Sequence, residues 1–551
     1  MNIALPRQFG RISAVALFCF ALLPACGGGG GSTSIDAGSS SAAAAGSGSS
    51  GGGTGGGGTT VGGSGASSSR TNMTYDVMLP SNLDGEIIAF TIHEPDNVVA
   101  GQVYPLILHS HGYAGSRQAS RPESGLLGRF LDNGYGILTL DERGNGESGG
   151  TVRILDPNFE GQDWLQVLDW TEENLEWMAY RDGNPLLGAV GGSYGGGYQH
   201  MVYAIDPEHR LDAIAPDITW HDLRYSLFSG GVFKTTWATL LGGLGNRPPN
   251  RQDPEVNQGL QEGLTTNSLA QSRLDLLYQN SLISHCEGMN STTAPGGLTR
   301  IDSFITQSHL DTLFNFNDAY GNYECVAALG GDVRLFTKSA GHGLDNGDGG
   351  QNCAALERDE ATFQWYEEKL MGVVGAANII PDICLNLSGE GADGIIVNDI
   401  TVGGTDMAPI AQQTMTLGTA NVLIVDVPIY TAPAGGEVLA GIPTIELTML
   451  DPLLGAGGLL DPIVFVGIGY APSGSSTFTD LMNQVTPFRG YGTHQEMLVG
   501  IMQRLAEGDQ LSLRLHPSHA QQYASSASTA PTTVTIDATV SLPLIGSSLA
   551  P

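Results

Sequence analysis

Gly191-Gly192-Ser193-Tyr194-Gly195 fits the turn that lifts a serine hydroxyl above the edge of a sheet between a strand and a helix. The motif alone is weak. With 79 glycines in the chain, a Gly-x-Ser-x-Gly match is expected about once by chance, and Gly48-Ser49-Ser50-Gly51-Gly52 is such a match. That second copy has no strand before it and no helix after it. Ser193 has the apolar run Leu186–Val190 before it and the helix-like Tyr198–Ile205 after it, which is the context the motif requires.

A serine hydroxyl becomes a nucleophile only when a base takes its proton, so an imidazole oriented by a carboxylate must lie within hydrogen-bond reach. His342 follows the predicted strand Val333–Phe336, and Asp311 follows a strand ending near Thr306. Each occupies the loop at the carboxyl end of its strand, where such sheets display their sites. His309 is the nearest competing base; His200, on the helix after Ser193, is a poorer one. Asp318, Asp345 and Asp348 are the competing acids. Acyl transfer also needs donors aimed at the developing oxyanion. The backbone N–H of Tyr194 is the default first donor, and the second is expected from His111-Gly112-Tyr113, through the phenol or backbone of Tyr113.

The elements that must position these residues alternate between strands and helices from about Arg70, which predicts an α/β fold with a mainly parallel sheet. Residues from about 219 to 300 interrupt the rhythm with helical stretches and read as a cap. Helical periodicity stops after Leu370, and short alternating runs such as Leu511, Leu513 and Leu515 predict an all-β sandwich. The expected organisation is a catalytic domain over 70–375 and a sandwich domain over 376–551.

These features together resemble the X-Pro dipeptidyl-peptidase and CocE/NonD hydrolase family, peptidase family S15. The resemblance rests on the glycine-flanked Ser193-Tyr194, Asp141-x-Arg143-Gly144-x-Gly146-x-Ser148, Asp311-Thr312-Leu313-Phe314, the helical insertion and the terminal β-region, with Leu439-Ala440-Gly441-Ile442-Pro443 and Glu507-Gly508-Asp509-Gln510-Leu511. It implies an α/β-hydrolase fold with an inserted helical cap, followed by a jelly-roll sandwich. It also implies Ser193, Asp311 and His342 as a triad, with Tyr113 as a phenolic oxyanion donor. Where the family often has Pro-Tyr in the oxyanion loop, this chain has Gly112-Tyr113. The expected reaction is cleavage of a small-molecule ester or amide through an acyl-enzyme. A dipeptidyl-peptidase acting on X-Pro peptides and a non-catalytic surface binding protein are the alternatives.

Residues 1–25 read as an export signal, with Arg7 and Arg11 before the apolar run Ile12–Leu23. At about 1.5 Å per residue this run reaches about 18 Å, short of a bilayer core. Leu23-Pro24-Ala25-Cys26 resembles the lipobox of bacterial lipoproteins, which implies lipidation of Cys26; Gly27 and Gly28, with no Asp, imply retention at the outer membrane. Residues 26–69 are then a lipidated cysteine and a Gly/Ser-rich tether, with a coil reach of roughly 35–40 Å. Cys286, Cys325, Cys353 and Cys384 remain for two disulfides in an oxidising compartment, with the connectivity left open. No cysteine pair has zinc-knuckle spacing, and neither a metal nor a cofactor site is expected. A net charge of -33 disfavours nucleic acid as a partner.

Overall fold

Short apolar strands separated by helical stretches assemble into one ten-stranded sheet. The computed structural model describes residues 73–546 apart from 97, 343–349, 388–392, 419–422 and 529. The expected export signal, Cys26 and the expected tether lie outside the described residues, as do Asp345 and Asp348. The strands are β1 (Thr74–Pro80), β2 (Ile87–His93), β3 (Leu106–Ser110), β4 (Gly136–Leu140), β5 (Leu187–Gly192), β6 (Leu211–Asp217), β7 (Asp302–Ser308), β8 (Val333–Lys338), β9 (Ile383–Asn386) and β10 (Gly394–Val397). Their spatial order is β1-β2-β4-β3-β5-β6-β7-β8-β9-β10. The stretch from β4 across to β9 is parallel, and the edge pairings β1–β2, β2–β4 and β9–β10 are antiparallel.

Helices cover both faces, which is why successive residues of the central strands, such as Leu106–Ile107–Leu108 and Phe304–Ile305, are apolar and buried rather than alternating. Ile107, Val190, Ala213, Phe304 and Phe336 pack with residues of α1 (Gly125–Asp132) and α10 (Arg358–Lys369). Their strand neighbours Leu106, Leu108, Ala189, Ile214, Ile305 and Leu335 share the opposite core with α2 (Glu160–Asn174), α3 (Tyr194–Ile205) and α9 (Phe316–Ala327). Between β6 and β7 stand five cap helices: α4 (Leu223–Phe228), α5 (Thr235–Gly245), α6 (Pro254–Thr266), α7 (Gln271–Gln279) and α8 (Leu282–Cys286). No helix among the described residues is long and apolar enough to cross a membrane.

The four cysteines pair as Cys286–Cys325, joining α8 to α9, and Cys353–Cys384, joining the chain after β8 to β9. Because β9 lies parallel beside β8, the large sheet continues through Val397, past the border expected at 375. The end of helical periodicity set that border, and it does not separate the last strands of one sheet from the first of the next.

The described residues between 405 and 542 form two five-stranded sheets and a two-stranded one, Glu437–Gly441 with Ile501–Leu505. One five-stranded sheet is built around Thr444–Leu450 and Thr532–Leu542, the other around Ile463–Ala471 and Gln510–His516. Alternate residues Val534, Ile536, Ala538 and Val540 share a core with Leu511, Leu513 and Leu515. Contact with the rest of the chain is both apolar and polar: Val232 of the cap region packs with Ile463, Phe465, Val485 and Tyr523, and Arg489 Nη1 donates to the carbonyls of Gly231 and Asn267, each at 2.6 Å.

Candidate active site

Ser193 sits between β5 and α3 with φ 58° and ψ -119°, backbone angles that a non-glycine residue holds only when its surroundings impose them. Its N–H donates to the Asp217 carbonyl at 2.9 Å, and the Thr219 hydroxyl donates to its carbonyl at 2.9 Å. The flanking glycines are a steric requirement. A Cβ on Gly195 would stand 2.3 Å from the Ser110 carbonyl oxygen, and one on Gly191, at φ +149°, would stand 2.5 Å from that of Gly195.

His342 follows β8, and its Nε2 lies 2.9 Å from Ser193 Oγ. Its Nδ1 lies 2.5 Å from Asp311 Oδ2. Ionised Asp311 can only accept, so Nδ1 carries the proton and Nε2 is left to receive one from the serine. Asp311 is fully buried, and its Oδ1 accepts the N–H groups of Leu313 (2.8 Å) and Phe314 (3.0 Å). The imidazole is held edge-on between Phe314 and Trp237, at ring separations of 5.3 and 5.7 Å. Trp237 belongs to cap helix α5, and its indole donates to the Thr312 hydroxyl at 3.1 Å.

The competing candidates lie elsewhere. His200 faces a small cavity that His285 also lines, and burial pushes it down to about 3. His309 is fully buried with its N–H on the Lys338 carbonyl. Asp318 accepts the N–H of His221 and the hydroxyl of Ser226, tying α9 to the start of the cap.

The loop after β3 is held by His111. Its Nε2 accepts the Glu142 N–H at 3.1 Å, so its Nδ1–H donates to the Gly112 carbonyl at 2.7 Å. Burial lowers the basicity of this ring and favours that neutral form. Beneath it, Glu142 accepts from Ser110 Oγ (2.7 Å) and Trp164 Nε1 (3.0 Å), and burial still pushes its carboxyl up to about 7. Tyr113 packs edge-on against the Tyr194 ring at 5.4 Å. Its phenol oxygen is buried, has no hydrogen-bond partner among the described residues, and abuts Gly245, where a Cβ would stand 2.3 Å away. The Tyr194 hydroxyl points the other way, accepting the Leu155 N–H at 2.9 Å.

Ser193, Tyr113 and Tyr194 line one cavity of about 880 Å3, counted with its open mouth, whose other walls come mostly from α4, α5, α6 and α7. The Asp141–Ser148 segment contributes structure instead. Arg143 is gripped by Asp163 and Asp84, and the Ser148 hydroxyl donates to the Asp141 carbonyl at 2.6 Å.

Sequence reasoning missed Trp237 and Gln484. Gln484, from the β-rich C-terminal region, donates through Nε2 to the carbonyls of Asp311 (2.9 Å) and His309 (3.2 Å). A lone glutamine 173 residues from Asp311 carries no local signal of such a role.

Sheet order, covering helices and the serine turn define an α/β-hydrolase-like protein. Residues 84–343 match the family described as X-Pro dipeptidyl-peptidase (S15 family). A CocE/NonD family hydrolase from Staphylococcus aureus superposes with a TM-score of 0.64 over 86% of this chain and 94% of its own, at 14% identity. An uncharacterized 31.7 kDa protein of Escherichia coli is 31% identical over 137 residues, 25% of this chain and 44% of that protein. A putative serine esterase of Mycobacterium bovis is 26% identical over 185 residues, 30% of this chain and 28% of that protein. The chain thus spans less than half the length of either of these curated relatives.

Proposed function

We propose that this protein is a serine hydrolase that cleaves ester or amide bonds through an acyl-enzyme. Ser193 is the nucleophile, His342 the general base and Asp311 the acid that orients it. The observation that carries this reading is the unbroken chain of contacts from Ser193 Oγ to His342 Nε2 and from His342 Nδ1 to Asp311 Oδ2, at 2.9 and 2.5 Å.

In the first half-reaction, His342 Nε2 takes the hydroxyl proton as Ser193 Oγ bonds to the carbonyl carbon. The resulting imidazolium is stabilised by Asp311 and returns the proton to the leaving alcohol or amine. Water repeats the sequence on the acyl-enzyme and releases the acid. The Tyr194 N–H, at the first turn of α3, is the first oxyanion donor. The Tyr113 phenol is the second: burial, with Glu160 nearby, raises its pKa, so it keeps its proton as a neutral donor.

Replacement of Ser193 by alanine should remove at least about a thousandfold of p-nitrophenyl ester turnover without loss of folding. It should also abolish labelling by a fluorophosphonate. Retained turnover in that variant would move the nucleophile elsewhere.

The match of residues 84–343 to the X-Pro dipeptidyl-peptidase family supports a second reading, dipeptidyl-peptidase activity, for which Ala-Pro-p-nitroanilide is the direct substrate. We read the two five-stranded C-terminal sheets as a jelly-roll sandwich. The lipobox-like Leu23-Pro24-Ala25-Cys26 supports export and anchoring at the outer membrane. Replacement of Cys26 by serine should then abolish metabolic labelling with palmitate and move the protein from the membrane to the soluble fraction.

A further inference from the structure

The cavity over Ser193 is walled by leucine and valine side chains of the cap, among them Leu223, Leu227, Leu241, Val256, Leu260 and Leu276. Each comes from a helix between β6 and β7, so the cap, rather than the sheet, sets what the serine can meet.

Charge is confined to one place on this wall. Glu255 is its single acid. The Glu255 carboxylate is already bonded by Arg273 Nη1 and lies 3.9 Å from Arg153 Nη2. Arg273 also donates to Gln258 at 3.0 Å. A dipeptide's protonated amino terminus would therefore have to leave water without an uncommitted carboxylate to meet it, which costs several kcal/mol. An alkyl or aryl chain meets no such penalty.

We propose that this cavity holds the acyl part of an uncharged ester, an apolar chain of roughly four to eight carbons or a ring of similar size, and that it does not hold an X-Pro dipeptide. The assignment rests on the serine-hydrolase reading above and narrows it. The acyl part is chosen over the leaving group because the acyl group stays bonded to Ser193 between half-reactions. The alcohol must depart, and an enclosed apolar wall would retain it.

The test uses the full exported chain and p-nitrophenyl esters of acetic, butyric, hexanoic and octanoic acids, with Ala-Pro-p-nitroanilide in parallel. Each buried methylene is worth about 0.8 kcal/mol, or roughly fourfold, so kcat/KM should rise at least about thirtyfold from acetyl to hexanoyl. The anilide should be the poorest substrate. In Val256→Trp, whose new ring occupies the cavity, the hexanoyl-to-acetyl ratio should fall to below about a third of its original value. Fluorophosphonate labelling of Ser193 in this variant reports whether its site is still formed. A flat or falling acyl series in labelled, active enzyme overturns the assignment, as does preference for the anilide. So does a chain-length gradient seen only in a series of acetate esters with lengthening alcohols. Absence of both labelling and ester turnover in the unaltered protein removes the serine-hydrolase reading itself, a result distinct from the other three.

Discussion

The imidazole Nε2 of His342 stands 2.9 Å from the hydroxyl of Ser193 although 149 positions separate them in the chain. Parallel pairing of β5 with β6, β6 with β7 and β7 with β8 makes this contact. It brings the carboxyl ends of β5, β7 and β8 to one edge of the sheet, where Ser193, Asp311 and His342 each follow their own strand.

Asp311→Asn retains Oδ1, the acceptor for Leu313 and Phe314 N–H, so the loop should keep its shape. The amide nitrogen would then face His342 Nδ1, and the ring would place its proton on Nε2, where the serine needs an acceptor. A fall in kcat of about four orders of magnitude is expected, with an unchanged circular dichroism spectrum. A loss smaller than tenfold would assign the orienting role to another residue.

Gln484→Leu removes the donor to the carbonyls of Asp311 and His309 while leaving every reacting atom in place. Because Gln484 is a positioning residue, its loss should lower kcat roughly ten- to hundredfold and change KM by less than about twofold. If KM rises and kcat holds, Gln484 shapes the binding site instead.

Gly195→Ala would put a methyl carbon 2.3 Å from the Ser110 carbonyl. The opposing atom is strand backbone, which cannot step aside as a side chain would. Destabilisation of about 1–3 kcal/mol is expected, together with loss of turnover, measurable by urea unfolding and ester hydrolysis. A variant as stable and active as the parent would show that the turn tolerates a Cβ.

Glu142 offers a test by pH. Its folded pKa, raised to about 7 by burial, exceeds the ordinary glutamate value, so the folded protein binds the proton more tightly than the unfolded chain. The stability this contributes is complete below about pH 4.3, the unfolded value, and is lost as pH rises to about 7. Above that it stays lost. Glu142→Gln keeps an oxygen for Ser110 and Trp164 without titrating. Its stability relative to the parent should therefore improve by roughly 2–3 kcal/mol between pH 4.5 and 7.5, read from urea midpoints at several pH values. A constant difference across that range would mean that Glu142 ionises normally.

Ser193, Asp311 and His342 could be nominated from the sequence because each requirement was local: an apolar strand, then a loop, then a residue type that chemistry demands. The glycines around Ser193 were legible for the same reason, since a crowded turn excludes Cβ wherever it occurs. The end of the large sheet was not legible, because a strand's composition does not say which sheet it joins. The disulfide pairing was equally hidden, four cysteines being compatible with three connectivities.

What the sequence nominated by itself was therefore a kind of chemistry and three candidate residues for it, through patterns that span a few neighbours each. Only the tertiary structure decided that Trp237 of the cap packs against His342, that Gln484 of the β-rich C-terminal region bonds the Asp311 carbonyl, and that leucines from four cap helices line the cavity over the serine. Those relations depend on distances between segments far apart in the chain. Such distances are set by how whole layers pack, which no short window of residues encodes.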